Sequence, residues 1–246
     1  MAKKNRTSID PVTDCACVIH GETYSWDYVE KLYRMLSRHL LGGIRLHVYT
    51  EAHRSVPDHM IKHNLIEWPG VSGPKRSWWY KMQLFDNAHF SGSLLYLDLD
   101  VVVYNNLNWV RDAHLDNFWT IRDFKYLQRP GYDKMNSSLM YWDTAKFGWV
   151  WDKFCEEDIS KVVTRWPGDQ DYINQVIEPN QRRYFADKHC QSFRWQALDG
   201  GMNFRARKAN QPGGGIHLSP EASVLVFHGK PKPHEVTHPQ IQHLWN

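Results

Sequence analysis

The 246 residues are 42% hydrophobic and 23% charged, the balance of an ordinary soluble globular chain of one domain spanning 1–246. No low-complexity tract, internal repeat or long apolar run is present, which excludes fibrous, solenoid and membrane-spanning chains. A net charge of +3 without a polybasic stripe is no evidence for a nucleic-acid partner.

In chain order, residues 1–13 read as a flexible segment whose Lys3, Lys4 and Arg6 have no apolar run behind them, so neither signal peptide nor anchor is expected and the chain reads as cytoplasmic. Cys15 to Ile19 is a short apolar run, predicted as a buried strand that ends at His20-Gly21. From Ser25 to Leu41 the apolar residues Trp26, Val29, Leu32, Tyr33, Leu36 and Leu40 recur at spacings of three and four. This predicts an amphipathic helix closed by Gly42-Gly43.

Ile44 to Thr50 alternates as a second strand, and strand–helix–strand at this pace predicts an α/β chain with a central, mainly parallel sheet flanked by helices. Its ligand crevice would lie at the carboxyl ends of the strands. A helix-like stretch, Trp78 to Ala88, leads into Ser93 to Leu97, the clearest buried strand, which runs into Asp98-Leu99-Asp100 and then Val101-Val102-Val103. Further on, Leu139 to Trp142 and Val224 to Phe227 read as strands, and Trp149 to Glu157 and Asp169 to Ile177 as helices. The stretch Asn210 to Pro220 reads as a surface loop. The four cysteines have no paired metal-ligand spacing and are expected to be buried free thiols.

Asp98 and Asp100, one residue apart where a buried strand meets its loop, suit a hard divalent cation bound through oxygen. Paired aspartates at strand ends also form turns and helix caps. The surrounding residues separate these readings. The run from Trp78 to Val103 resembles retaining glycosyltransferases of the glycogenin and lipopolysaccharide galactosyltransferase family, with Lys81 one helix and one strand upstream of the D-x-D motif. Asn136 to Asp143 is similar to the family's N-[AS]-G strand, Gly168 to Asn174 to its G-D-Q-D-x-[IL]-N segment, and Phe227 to Pro233 to its H-x-x-G-x-x-K-P closure.

The resemblance implies a GT-A fold and a hexosyltransferase that uses Mn²⁺ or Mg²⁺ and a UDP-sugar donor, with retention. The acceptor hydroxyl, on a glycan, lipid-linked, protein or nucleic-acid partner, is left open. It further implies Asp98, Asp100 and His228 as metal ligands, with Leu99, Lys81, Gly229 and Lys230 or Lys232 beside the donor. His20, Gly21, Thr23 and Tyr24 would form the nucleotide pocket, Tyr24 stacking on the base. Asp169 and Gln170 would line the sugar near its anomeric carbon, where Gln170 would stabilise an oxocarbenium-like state.

Two departures stand out. Ser138 occupies the place of the family's glycine beneath the donor sugar, and the closure is shortened, with Lys230 two and Lys232 four residues after His228 where the family has six. Two rival readings are a transferase acting on modified nucleic acid and a non-catalytic nucleotide-sugar-binding protein. The first draws on Lys3, Lys4, Arg6, Lys75-Arg76 and Arg182-Arg183, with Trp78 and Trp79 for base stacking.

Overall fold

A computed structural model describes residues 11–71, 76–198 and 215–246. Strand β1 (Thr13–Val18) is followed by helix α1 (Trp26–His39) and strand β2 (Ile44–Thr50), and then by β3 (Ile61–Asn64). A 3₁₀ segment at Ser77–Phe85 precedes β4 (Ser93–Leu97), β5 (Val101–Val103), β6 (Phe118–Arg122) and β7 (Met135–Asp143). Four helices follow: α2 (Thr144–Phe147), α3 (Trp149–Glu156), α4 (Ile159–Arg165) and α5 (Asp169–Val176). The last strands are β8 (Arg182–Tyr184), β9 (Cys190–Ser192) and β10 (Val224–Val226).

Seven strands make one sheet in the order β3-β2-β1-β4-β7-β6-β8. The pairs β3–β2, β2–β1, β1–β4 and β6–β8 are parallel, while β7 runs antiparallel to both its neighbours, so the sheet is mainly parallel as expected. A second sheet, β5-β10-β9, was not foreseen as a unit. Its three strands of three residues each are too short to announce their pairing. Among the described residues no helix is long and apolar enough to cross a membrane.

The large sheet divides two cores because successive side chains on a strand face opposite sides. Cys15, Cys17, Leu95, Leu97 and Leu139 pack with α1 and the small sheet. Ala16, Leu94, Tyr96, Met140 and Trp142 pack with the 3₁₀ segment and α3 on the other face. Helix α1 buries Val29, Leu32 and Leu36 along the predicted stripe. One cysteine corrects the expectation: Cys155 is exposed, because it lies on the outer face of α3 while Val150 and Phe154 face inward.

At the β2–β3 edge, His47 Nδ1 and His63 Nε2 are 2.8 Å apart, and His47 Nε2 meets Asp14 Oδ1 at 2.9 Å. The His63 ring stacks on Tyr49 and meets His89 edge-on. Burial lowers the His47 pKa against the opposing pull of Asp14, and burial with the neighbouring imidazoles lowers that of His63 to about 4. The unfolded chain therefore binds protons that this edge refuses. Stability is full above the ordinary histidine range near 6.5 and falls as pH drops towards 4. Allowing for solvent screening at a half-buried ring, His63 contributes on the order of 1–2 kcal/mol to that loss. Urea unfolding at pH about 7.5 and about 5 should show a smaller decline in His63→Gln than in wild type; equal declines would refute this account.

Candidate functional site

Strand β4 is apolar until its carboxyl end, where the backbone leaves the sheet and presents Asp98 and Asp100 on either side of the buried Leu99. The Asp98 amide donates to the Ser138 carbonyl at 2.9 Å, which ties this turn to β7. The Asp98 carboxylate accepts from the Tyr96 hydroxyl at 2.6 Å and pairs with Lys81 Nζ at 2.9 Å. Tyr96 was not foreseen. The available signal was its position two residues before Asp98 on the same side of an extended chain.

Lys81 reaches this point from the 3₁₀ segment and also pairs with Asp169 Oδ2 at 3.3 Å. Ser137 Oγ completes the network, accepting from Lys81 at 3.1 Å and donating to Asp169 at 2.9 Å. Burial works against the Lys81 charge, but Asp169 and Asp98 overcome it and hold the ammonium above its ordinary range. For Asp98, burial raises the pKa and Lys81 with Tyr96 outweighs it, so the group is held below the usual carboxylate value. Asp169 goes the other way: burial prevails over Lys81.

Gln170, at the start of α5, is clamped at both ends of its amide. Its Oε1 accepts from the Ser137 amide and its Nε2 donates to Asp123 Oδ2, both at 3.2 Å. Asp169 and Gln170 therefore stand beside the acidic pair through Ser137 and Lys81. Ser138, in place of a glycine, is buried, and its hydroxyl adds to the hydrogen bonding that lowers the Asp98 pKa.

Asp100 is bound by the Tyr24 hydroxyl at 2.9 Å and by Lys232 Nζ. Burial, then the charge of Asp98, raises its pKa in spite of Lys232 and Tyr24. Of the two lysines in the closing segment, Lys232 faces the pair, whereas Lys230 is exposed and paired with Glu235. Gly229 has φ +78°, a left-handed conformation that favours glycine.

Near the end of β1, His20 lies against Tyr80 with ring centroids 4.2 Å apart and meets Glu67 at 3.2 Å, and Thr23 is exposed. The Gly21 amide donates to Glu51 Oε1 at 2.6 Å, and Arg54 bonds both Glu51 and the Gly21 carbonyl. Glu51 and Arg54, just beyond the carboxyl end of β2, were also not foreseen. Their signal was position alone.

His228 does not share a hydrogen bond with the aspartates. Its Nε2 is 2.6 Å from Ser192 Oγ, and its ring lies between Phe124 and Trp195. Among the described residues no three His, Cys, Asp or Glu side chains stand close enough to hold an ion between them. The aspartate pair nevertheless fits a hard divalent cation: its donors are carboxylate oxygens one residue apart, and Asp100 already draws a cationic group, the Lys232 ammonium, to itself.

The residues offered for nucleic-acid contact fare differently. Trp79 is buried at 1% exposure in the core, and Arg182 is buried, donating to the Asn174 and Ile177 carbonyls, so neither is available to a base or a phosphate. Lys3, Lys4, Arg6 and Lys75 lie outside the described residues, as do positions 210–214 of the expected surface loop.

No family model and no curated protein sequence matches this chain. Solved structures do. An active-site variant of LgtC is 16% identical, with a TM-score of 0.62 over 94% of each chain. The galactosyltransferase LgtC in complex with donor and acceptor sugar analogs is 15% identical, with a TM-score of 0.60 over 95% of each chain. The glycosyltransferase GlyE of Streptococcus pneumoniae is 16% identical with a TM-score of 0.67, over 95% of this chain and 60% of that one. At these identities the likeness is one of fold, and the fold is that of GT-A glycosyltransferases.

Proposed function

We propose that this chain is a glycosyltransferase that moves a hexose from a UDP-sugar to a hydroxyl acceptor, with Asp98 and Asp100 holding Mn²⁺ or Mg²⁺ beneath the donor diphosphate. The observation that carries the reading is the convergence of Asp98, Asp100, Lys81, Asp169, Gln170, Tyr24 and Lys232 at the carboxyl end of β4, the crevice where open α/β sheets bind ligands. The shared fold supports it: one neighbour carries the name galactosyltransferase and was solved with donor and acceptor sugar analogs.

The bound cation would act as a Lewis acid that offsets charge on the departing diphosphate. The chain's own residues do the rest. Tyr24 stacks on the base. Lys232 meets the diphosphate as a point charge at the close of the C-terminal segment. Lys81 stays protonated and holds Asp98 and Asp169 at fixed positions, so the floor beneath the donor sugar is set before the substrate arrives.

Gln170, its amide fixed between Ser137 and Asp123, is poised beside the anomeric carbon, and Asp169 orients a sugar or acceptor hydroxyl. The donor's leaving phosphate oxygen takes the acceptor proton, so no strong protein base is needed. Retention of configuration rests on the family resemblance. His228 enters this scheme as a metal ligand through Nδ1, with its Nε2 kept on Ser192 as the hydrogen bond that orients the ring.

The test is a screen of UDP- and GDP-sugars for Mn²⁺-dependent binding and hydrolysis. UDP-glucose or UDP-galactose is expected to bind and be slowly hydrolysed. Binding without any turnover would instead favour a nucleotide-sugar-binding protein.

A further inference from the structure

In the ligand-free chain Lys232 covers two positions at once. Its ammonium pairs with Asp100, and it also lies 5.8 Å from the centre of the Tyr24 ring, within cation–π reach of the face offered to a base. The Tyr24 hydroxyl donates to the same Asp100 carboxylate, so ring, carboxylate and ammonium form one closed contact.

The backbone behind Lys232 is fixed while its side chain is an arm. The Lys232 amide donates to Glu235 Oε2 at 2.6 Å, and Gln242 Nε2 donates to the Pro233 carbonyl. His234 is bonded to the Tyr28 hydroxyl, and Trp245 packs edge-on against Tyr28 at 4.8 Å, which seats the tail on α1. At the other end Gly229 takes a left-handed turn. The four-carbon stem can therefore swing through several ångströms without moving the tail.

Charge points the same way. Asp98, Asp100 and Asp169 face Lys81 and Lys232; Lys81 is buried between two of the carboxylates, whereas Lys232 touches one and is the more exposed of the two lysines. Of the two counter-ions, Lys232 is the exchangeable one.

We infer that Lys232 is the resting counter-ion of Asp100 and a plug over the Tyr24 face, and that it passes from Asp100 to the donor diphosphate when cation and nucleotide enter together. This rests on the proposed donor site. The exchange makes binding ordered: cation alone competes with a tethered ammonium and binds weakly, whereas cation with a nucleoside diphosphate gives Lys232 a new anionic partner. The segment thereby suppresses metal loading in the absence of donor.

The experiment measures Mn²⁺ affinity by calorimetry or electron paramagnetic resonance, with and without UDP, in wild type, Lys232→Met and Lys232→Arg. Without UDP, Lys232→Met should bind Mn²⁺ about tenfold more tightly than wild type, and with Mn²⁺ present it should bind UDP about tenfold more weakly. Lys232→Arg retains the charge and should keep the weak resting affinity, and Lys188→Met, which removes a surface pair with Glu221, should change neither affinity. Unchanged or weaker Mn²⁺ binding by Lys232→Met without UDP overturns the exchange while leaving the donor site standing. Absence of Mn²⁺ binding by wild type even with UDP overturns both.

Discussion

Asp100→Asn is expected to lose metal-dependent turnover by at least about a hundredfold while folding as well as wild type. The two halves of this result have separate causes. Asparagine replaces a carboxylate oxygen with an amide nitrogen, removing one of two adjacent anionic donors to a hard cation. The folded chain, however, gains little from the Asp100 charge: burial and the nearby Asp98 raise its pKa despite Lys232 and Tyr24. A neutral isostere relieves that conflict and still accepts a hydrogen bond from Tyr24, while Lys232, more exposed than Lys81, turns to water instead of being left buried and unpaired. Thermal unfolding should show an unchanged or higher midpoint in parallel with the lost UDP-sugar hydrolysis. Retention of Mn²⁺-dependent turnover would remove Asp100 from the site, and a large fall in stability would contradict the charge argument.

Lys81→Met should instead cost stability, about 3–5 kcal/mol, the scale for removing one partner of a buried ionic network. Lys81 is 7% exposed and Asp169 4% exposed, so water does not replace the lost ammonium. Asp98, held below its usual pKa chiefly by Lys81 against burial, would be left as an unpaired charge or would take up a proton. Ser137 would keep its bond to Asp169 but lose the donor on its other side. Adding Asp169→Asn to Lys81→Met should recover part of the loss, because one of the two orphaned carboxylates is then neutral; a double-mutant cycle in urea reads this coupling directly. A loss below about 1 kcal/mol for Lys81→Met would mean that the network relaxes or hydrates freely.

The parts of this molecule that the sequence announces are those in which one local pattern decides the structure. Strands β1, β2 and β4 and helix α1 follow from apolar runs and from the three-and-four spacing of Val29, Leu32 and Leu36. Strand β7 begins earlier than its apolar residues indicate, because Asn136, Ser137 and Ser138 are polar yet buried, satisfied by partners far along the chain such as Lys81, Asp169 and Gln170. The small sheet is hidden for a related reason: Val101 pairs with Val226 and Cys190 with Val224, contacts no local window contains.

At the candidate site, the aspartate pair and Lys81 are legible from motif and order, but which of Lys230 and Lys232 faces Asp100 is not. It is decided by Glu235, which holds Lys230 at the surface and fixes the Lys232 backbone. Trp79 and Arg182 show the converse error. Each looked available for nucleic acid by residue type, and each is buried: Trp79 because its ring completes the core beside Phe154 and Tyr172, Arg182 because its guanidinium satisfies carbonyls around α5.

Crystals grown with MnCl₂ and UDP, and measured at the manganese absorption edge, give the most direct reading of where the cation and nucleotide go. A single anomalous peak in coordination contact with both Asp98 and Asp100, with the diphosphate on its far side and Lys232 withdrawn from Asp100, is the outcome this account predicts. A peak at any other group of ligands, or UDP bound away from Tyr24 and the end of β4, would contradict it.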